Sequence, residues 1–100
     1  GNAVLTNTTG GNVVDLADDN TVRGIFIDGT VAANGIAGTG SNNGRLQNNT
    51  ITGAGQNGIA LSSISGDWNI TNNTLTNNAI DGLRVQNTTD STSVFTVTNN

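Results

Sequence analysis

The sequence contains no cysteine, proline, histidine, methionine or tyrosine. Its three cationic side chains are all arginine and its seven anionic ones all aspartate, so lysine and glutamate are missing too. Without cysteine there is neither a disulfide framework nor a cysteine-based metal site. Three arginines and a net charge of -4 do not make the basic stripe that a nucleic acid requires, nor the polybasic segment that an anionic membrane surface attracts. No apolar run approaches the ~18 residues of a membrane-crossing helix, so membrane insertion is not expected. No secretory leader is recognisable, and a mature fragment would read the same way. No window carries the i, i+3, i+4, i+7 apolar stripe of an amphipathic helix. Catalysis, if any, would have to use Asp, Arg, Ser or Thr.

What is present is asparagine, threonine and glycine in a recurring order. Leu46-Gln47-Asn48-Asn49-Thr50-Ile51-Thr52 is matched by Ile70-Thr71-Asn72-Asn73-Thr74-Leu75-Thr76, and in part by Val97-Thr98-Asn99-Asn100. Val22-Arg23-Gly24-Ile25-Phe26-Ile27 fits the same frame more weakly. The anchors Val22, Leu46, Ile70 and Val97 recur about every 24 residues, the range of a solenoid or array. A second half-repeat follows each: Gly58-Ile59-Ala60-Leu61, Gly82-Leu83-Arg84-Val85, Gly35-Ile36-Ala37 with one extra residue before it, and Val14-Asp15-Leu16 upstream. Val4-Leu5 fits the remnant of an earlier turn. The chain then holds about four repeats in one domain: a partial first turn over 1–13 and regular repeats over 14–100. The segment between the second half-repeat and the next anchor varies most in length, which makes 86–93 the most protruding loop.

The segments read as strands. Apolar and polar residues alternate at Ile59/Leu61, Leu83/Val85, Trp68/Ile70 and Phe95/Val97, giving one inward and one outward face. The runs are short, rich in Ile, Val and Thr, and bounded by Gly or Asn. Residue types that return in register on every turn demand a coil of parallel strands, each inward position stacking on its copy ~4.8 Å away. The expected interior columns are Val22/Leu46/Ile70/Val97, Ile27/Ile51/Leu75, Val14/Ile36/Ile59/Leu83 and Leu16/Leu61/Val85, with Trp68 and Phe95 as stacked neighbours. Asn48/Asn72/Asn99 and Asn49/Asn73/Asn100 fall at a bend, where stacked amides can bond along the axis. Gly58 and Gly82 are expected at bends with positive φ.

The pattern Asn-Asn-Thr-(Ile/Leu), a gap, then Gly-(Ile/Leu)-x-(Leu/Val) resembles the right-handed parallel β-helix repeat of the pectate-lyase-like superfold, over about 14–100. That resemblance implies an all-β solenoid. The superfold also hosts polysaccharide lyases and hydrolases, phage tailspikes, autotransporter passengers and surface adhesins. It therefore implies a secreted or cell-surface setting and an association with glycans, and nothing narrower about activity.

The candidate chemistry is thin. Asp15, Asp18 and Asp19 form the one acidic cluster, and adjacent aspartates on a turn point apart unless the backbone kinks. They read as a solvated turn, with hard oxygens for a weak cation site as the alternative. Gly10-Gly11-Asn12-Val13-Val14-Asp15 partly resembles the calcium-binding β-roll nonapeptide, but Val13 replaces its third glycine. No catalytic residue, metal or cofactor is assigned. Phe26 aligns with the outward Thr50 and Thr74. It is either covered by the longer segment 28–43 or an exposed contact residue. The threonines at 50, 52, 74 and 76 make a two-rung array like those of ice-binding solenoids, broken at the next rung by Phe26 and Asp28. Sequons occur at Asn7, Asn48, Asn69, Asn72 and Asn87. Those at Asn48 and Asn72 are expected to be sequestered in the amide stack.

The expectation is a non-catalytic structural or adhesive solenoid segment of an exported bacterial surface protein. Its partners would be further rungs, a second copy bound end to end, or a glycan or host receptor. Two other classes stay open: a subunit of an extracellular filament, and a fragment of a lyase or hydrolase acting on acidic polysaccharide.

Overall fold

The structure, a computed structural model, describes residues 4–7, 10–30, 33–86 and 94–98, and the side chains of all of these except Val4, Thr30 and 94–98. The strands are β1 (Val4–Asn7), β2 (Val14–Leu16), β3 (Asn20–Arg23), β4 (Phe26–Thr30), β5 (Ile36–Thr39), β6 (Asn42–Gln47), β7 (Thr50–Thr52), β8 (Ile59–Ser62), β9 (Ser65–Thr71), β10 (Thr74–Thr76), β11 (Leu83–Gln86) and β12 (Val94–Thr98). They form three parallel sheets of four strands, β1-β4-β7-β10, β2-β5-β8-β11 and β3-β6-β9-β12. Each rung supplies one strand to each sheet in turn. The coil rises by three full turns between β1 and β10. The architecture is a parallel β-solenoid, and no helix occurs among the described residues.

The register explains why the sequence repeats. Val22 pairs with Leu46, Leu46 with Ile70, and Ile70 with Val97. Leu5, Ile27, Ile51 and Leu75 align in the first sheet. Val14, Ile36, Ile59 and Leu83 align in the second. The middle of each column is sealed: Ile27, Ile36, Leu46, Ile51, Ile59, Ile64 and Ile70 are fully buried and pack as one cluster with Leu61 and Trp68. Each such side chain stabilises the coil by about 1.5–3 kcal/mol relative to exposure. Toward the outer rungs burial fades. Val22, Leu75 and Leu83 are half-buried, while Leu5 and Val85 are exposed.

Two columns differ from those read in the sequence. The stack of Leu16, Leu61 and Val85 is interrupted by Gly38, which stands in register between Leu16 and Leu61. A Cβ at Gly38 would lie 3.1 Å from Leu61 Cδ2 and 3.3 Å from Leu16 Cδ1, so the two leucines fill the space from both sides. Gly44 likewise pairs with Trp68 across an irregularity in the β6–β9 ladder. The indole ring occupies the space that a side chain at 44 would need. Trp68 is thereby buried, and its Nε1–H donates to the Ser65 carbonyl at 2.9 Å. The backbone of Phe95 pairs with that of Trp68 on the next rung, but its side chain lies outside the description.

The glycines before the second-sheet strands have a different reason from the one expected. Gly58 and Gly82 do not adopt positive φ. A Cβ at Gly58 would sit 2.7 Å from the Gly82 carbonyl oxygen and 2.8 Å from Asn78 Nδ2. Close approach of the next rung, not left-handed backbone, requires glycine at 58, whereas a Cβ at Gly82 would lie 3.2 Å from Leu75 Cβ in its own rung. The left-handed positions instead include Asp19, Asn48 and Asn72, each at φ 57°, a conformation that Asn and Asp tolerate better than other side chains.

Candidate functional site

The polar groups that could do chemistry lie at the corners between sheets and on the outward faces. Asparagine amides run up two of the corners. Where the third sheet turns into the first, Asn49 and Asn73 are buried. Asn49 donates both its backbone N–H and its Nδ2–H to Asn73 Oδ1, each at 3.0 Å. Asn73 Nδ2 donates down to the Leu46 carbonyl at 2.9 Å, and Asn49 Nδ2 also reaches the Val22 carbonyl at 3.0 Å. Ile25, which lacks an amide, still donates its backbone N–H to Asn49 Oδ1 at 3.2 Å. Each inward Asn therefore satisfies backbone groups that the bend removes from the sheet.

Their neighbours behave otherwise. Asn48 and Asn72 do not belong to this ladder: both are exposed, turned outward by the left-handed backbone at their own positions. The expectation that their sequons are sequestered is therefore corrected. Asn99 and Asn100, the sequon at Asn87 and the loop expected at 86–93 fall, apart from Gln86, outside the described residues.

A second ladder, not anticipated from the sequence, stands where the first sheet turns into the second. Asn34 donates its backbone N–H and Nδ2–H to Asn12 Oδ1 at 2.9 and 3.2 Å. Asn57 does the same to Asn34 Oδ1, both at 3.0 Å. Asp81 completes the column with its backbone N–H on Asn57 Oδ1 at 3.1 Å. The signal was available in Asn34-Gly35, Asn57-Gly58 and Asp81-Gly82, where a polar residue precedes each close-approach glycine.

Two members of the acidic cluster bond to the next rung, and the third bonds within its own rung. Asp15 Oδ1 accepts from Asn12 Nδ2 at 2.8 Å. Asp18 Oδ1 accepts from the Asn42 backbone N–H at 2.8 Å and Asp19 Oδ1 from Asn43 Nδ2 at 2.9 Å. The left-handed kink at Asp19 lets both adjacent carboxylates face the rung above. They are exposed, as a solvated turn would be, but they act as acceptors for the next turn of the coil. The three are not gathered around a common point: no group of three acidic or metal-ligating side chains is placed to hold an ion among the described residues.

On the outward faces, Phe26 pairs with Val4 below and Thr50 above. It is half-buried rather than an exposed contact residue. The described residues of 28–43 continue β4 and supply β5 and the start of β6. Thr50, Thr52, Thr74 and Thr76 stand in two-rung register, with Phe26 and Asp28 on the rung below. A concavity of about 390 Å³ lies along the second sheet. Ala37, Ala60 and Gly38 line it together with Asn34, Asn57 and Arg84. Among the described residues its lining includes no carboxylate, so it does not present the paired carboxylates of a glycoside hydrolase.

Parallel sheets, inward aliphatic columns and amide ladders define the class as a β-solenoid of stacked rungs. The family model described as a right-handed β-helix region matches residues 1–100, and the chain belongs to that family. Neither the curated proteins nor the solved structures compared with it give a match.

Proposed function

We propose that this chain is a non-catalytic structural segment of an exported bacterial surface protein, a stiff solenoid that spaces or presents an adhesive surface. The observation that carries the reading is how its polar side chains are used. Asp18, Asp19, Asn34, Asn49, Asn57 and Asn73 all bond to adjacent rungs. A catalytic carboxylate needs an oxygen directed at substrate and a partner of complementary role. Here two carboxylates and four amides instead tie successive rungs together, which suits a rod. The cysteine-free, Asn- and Thr-rich composition suits passage of an unfolded chain to the cell exterior. A glycan or a host receptor on the outward faces is the partner this role implies.

The test is incubation with polygalacturonate and related acidic glycans, with and without calcium, followed by reducing-end and unsaturated-product assays. The expected result is no turnover. Cleavage that is lost in Asp18→Asn or Asp19→Asn would overturn the non-catalytic reading.

A further inference from the structure

The corner where the third sheet turns into the first repeats one backbone conformation on three rungs. Gly24, Asn48 and Asn72 stand in register there. The Gly24 N–H donates to the Gln47 carbonyl and the Asn48 N–H to the Thr71 carbonyl, each at 3.1 Å. All three residues are left-handed, at φ 69°, 57° and 57°, and all three are exposed. A Cβ on Gly24 would meet nothing within 4 Å, so the corner opens to solvent. The residue two places further on lies in the first sheet, where Phe26, Thr50 and Thr74 pair across the rungs. The rung with glycine at the corner has phenylalanine at that place, and the two rungs with asparagine have threonine.

The coil demands neither residue type. Glycine satisfies the left-handed corner at 24, and Phe26 shows that the strand position accepts a side chain without a hydroxyl. The bonds on the inner side of the corner run through Asn49 and Asn73. Among the described residues no hydrogen bond engages the Asn48 amide. A surface asparagine with a hydroxyl two residues on is what N-glycosylation requires. Two other sequons begin at asparagines that are placed differently. Asn69 is half-buried, and its Oδ1 accepts from Gln47 Nε2 and Thr71 Oγ1, each at 3.2 Å. Asn7 is half-buried and gives its Nδ2–H to the Asn12 carbonyl at 3.1 Å.

We propose that Asn48, and Asn72 one rung above it, are acceptor sites for N-linked glycans. The donor is a sugar held through a diphosphate to a lipid. Asparagine Nδ2 forms a bond to the anomeric carbon of that sugar. The bond from this carbon to the diphosphate oxygen breaks, the lipid diphosphate leaves with the electron pair, and one amide proton passes to a base of the transferase. The product keeps an uncharged amide, and the ladder between Asn49 and Asn73 is untouched. The rung spacing of ~4.8 Å sets the two glycans side by side along the corner. Neither asparagine lines the trough on the second sheet, which stays open. Modification at this corner rests on the export that the proposed function includes and on nothing in its adhesive or non-catalytic role.

The test is secretion of the 1–100 chain behind a cleaved leader from a eukaryotic host, beside a reporter glycoprotein that verifies transfer. Supplying the leader separates acceptance at these sites from the chain's own route of export. Enzymatic glycan release in heavy-oxygen water turns each glycosylated asparagine into a labelled aspartate, and peptide mapping reads the sites. Label is expected at Asn48 and Asn72, with little at Asn69. Asn48→Gly, which reproduces the Gly24 corner, should lose one glycan from the intact mass, and so should Thr50→Val. Thr50→Ser keeps the hydroxyl and should keep the glycan. Circular dichroism and Trp68 emission should coincide before and after glycan release, because no ladder bond is touched. A folded wild-type chain without label at either Asn48 or Asn72 overturns the proposal. So does occupancy at Asn69 equal to that at Asn48, or a glycan on Asn48 that persists in Thr50→Val.

Discussion

The two asparagine corners bear the same chemical group and use it in opposite directions. At the corner before the first sheet, the lower rung donates to the upper: Asn49 gives both N–H groups to Asn73 Oδ1. The upper amide then reaches back to a main-chain carbonyl, Asn73 to Leu46. At the corner before the second sheet, the upper rung donates to the lower, and both donors of Asn34 or Asn57 converge on one Oδ1 below. In the first corner the side-chain NH₂ is the partner of a main-chain carbonyl that the bend leaves exposed to the interior. In the second it reinforces a bond that the main-chain N–H already makes. An amide is indispensable in the first corner and partly redundant in the second. The chain shows as much, because Asp81 occupies a rung of the second corner with only its backbone N–H bonded to the ladder.

Substitution of Asn by Asp separates these roles, because it changes one donor into an acceptor at almost constant volume. The largest effect is expected for Asn73→Asp. It places a carboxylate oxygen against the Leu46 carbonyl in a site that is 2% exposed. The cost is on the order of 4 kcal/mol, because a buried carboxylate oxygen then faces a carbonyl oxygen where an N–H had donated. Urea unfolding followed by Trp68 emission, at low protein concentration, would register it as a lowered midpoint at unchanged slope. A shift below that of the next variant would remove the distinction between the corners.

Asn57→Asp is expected to be milder, about 2 kcal/mol. It loses the Nδ2–H bond to Asn34 Oδ1, but its backbone N–H still reaches that oxygen and its own Oδ1 still accepts from Asp81. The same unfolding experiment ranks it between Asn73→Asp and wild type. Smallest of all is Asp81→Asn, at an exposed rung. It should change stability by no more than about 0.5 kcal/mol. A loss of stability comparable to that of Asn57→Asp would show that the carboxylate of Asp81 has a partner that the ladder geometry does not explain.

Much of the fold was legible because a parallel coil repeats its demands every turn. Ile27, Ile51 and Leu75 could be aligned by counting, since the Asn-Asn-Thr frame keeps constant spacing between the third and first sheets. The second ladder could not be found by the same count. Its steps are 22, 23 and 24 residues, and its last member is Asp, so neither the period nor the residue type stays fixed. Within Asn48-Asn49 and Asn72-Asn73 the sequence gives two equivalent residues. The left-handed backbone at Asn48 and Asn72 turns one amide outward and the next inward. The pairing of Gly44 with Trp68 depends on a register irregularity between β6 and β9, which no fixed spacing reveals.

By itself the sequence determined the strand alternation, the parallel stacking and the register of three of the four aliphatic columns, because period two and a near-constant repeat admit one inward face. Only the tertiary structure decided the direction in which each amide donates, which carboxylates are engaged between rungs, and that Asp15 and Arg84 share one outward column. Those properties depend on φ at single residues and on register between strands more than 20 residues apart. Local propensity carries no information about either.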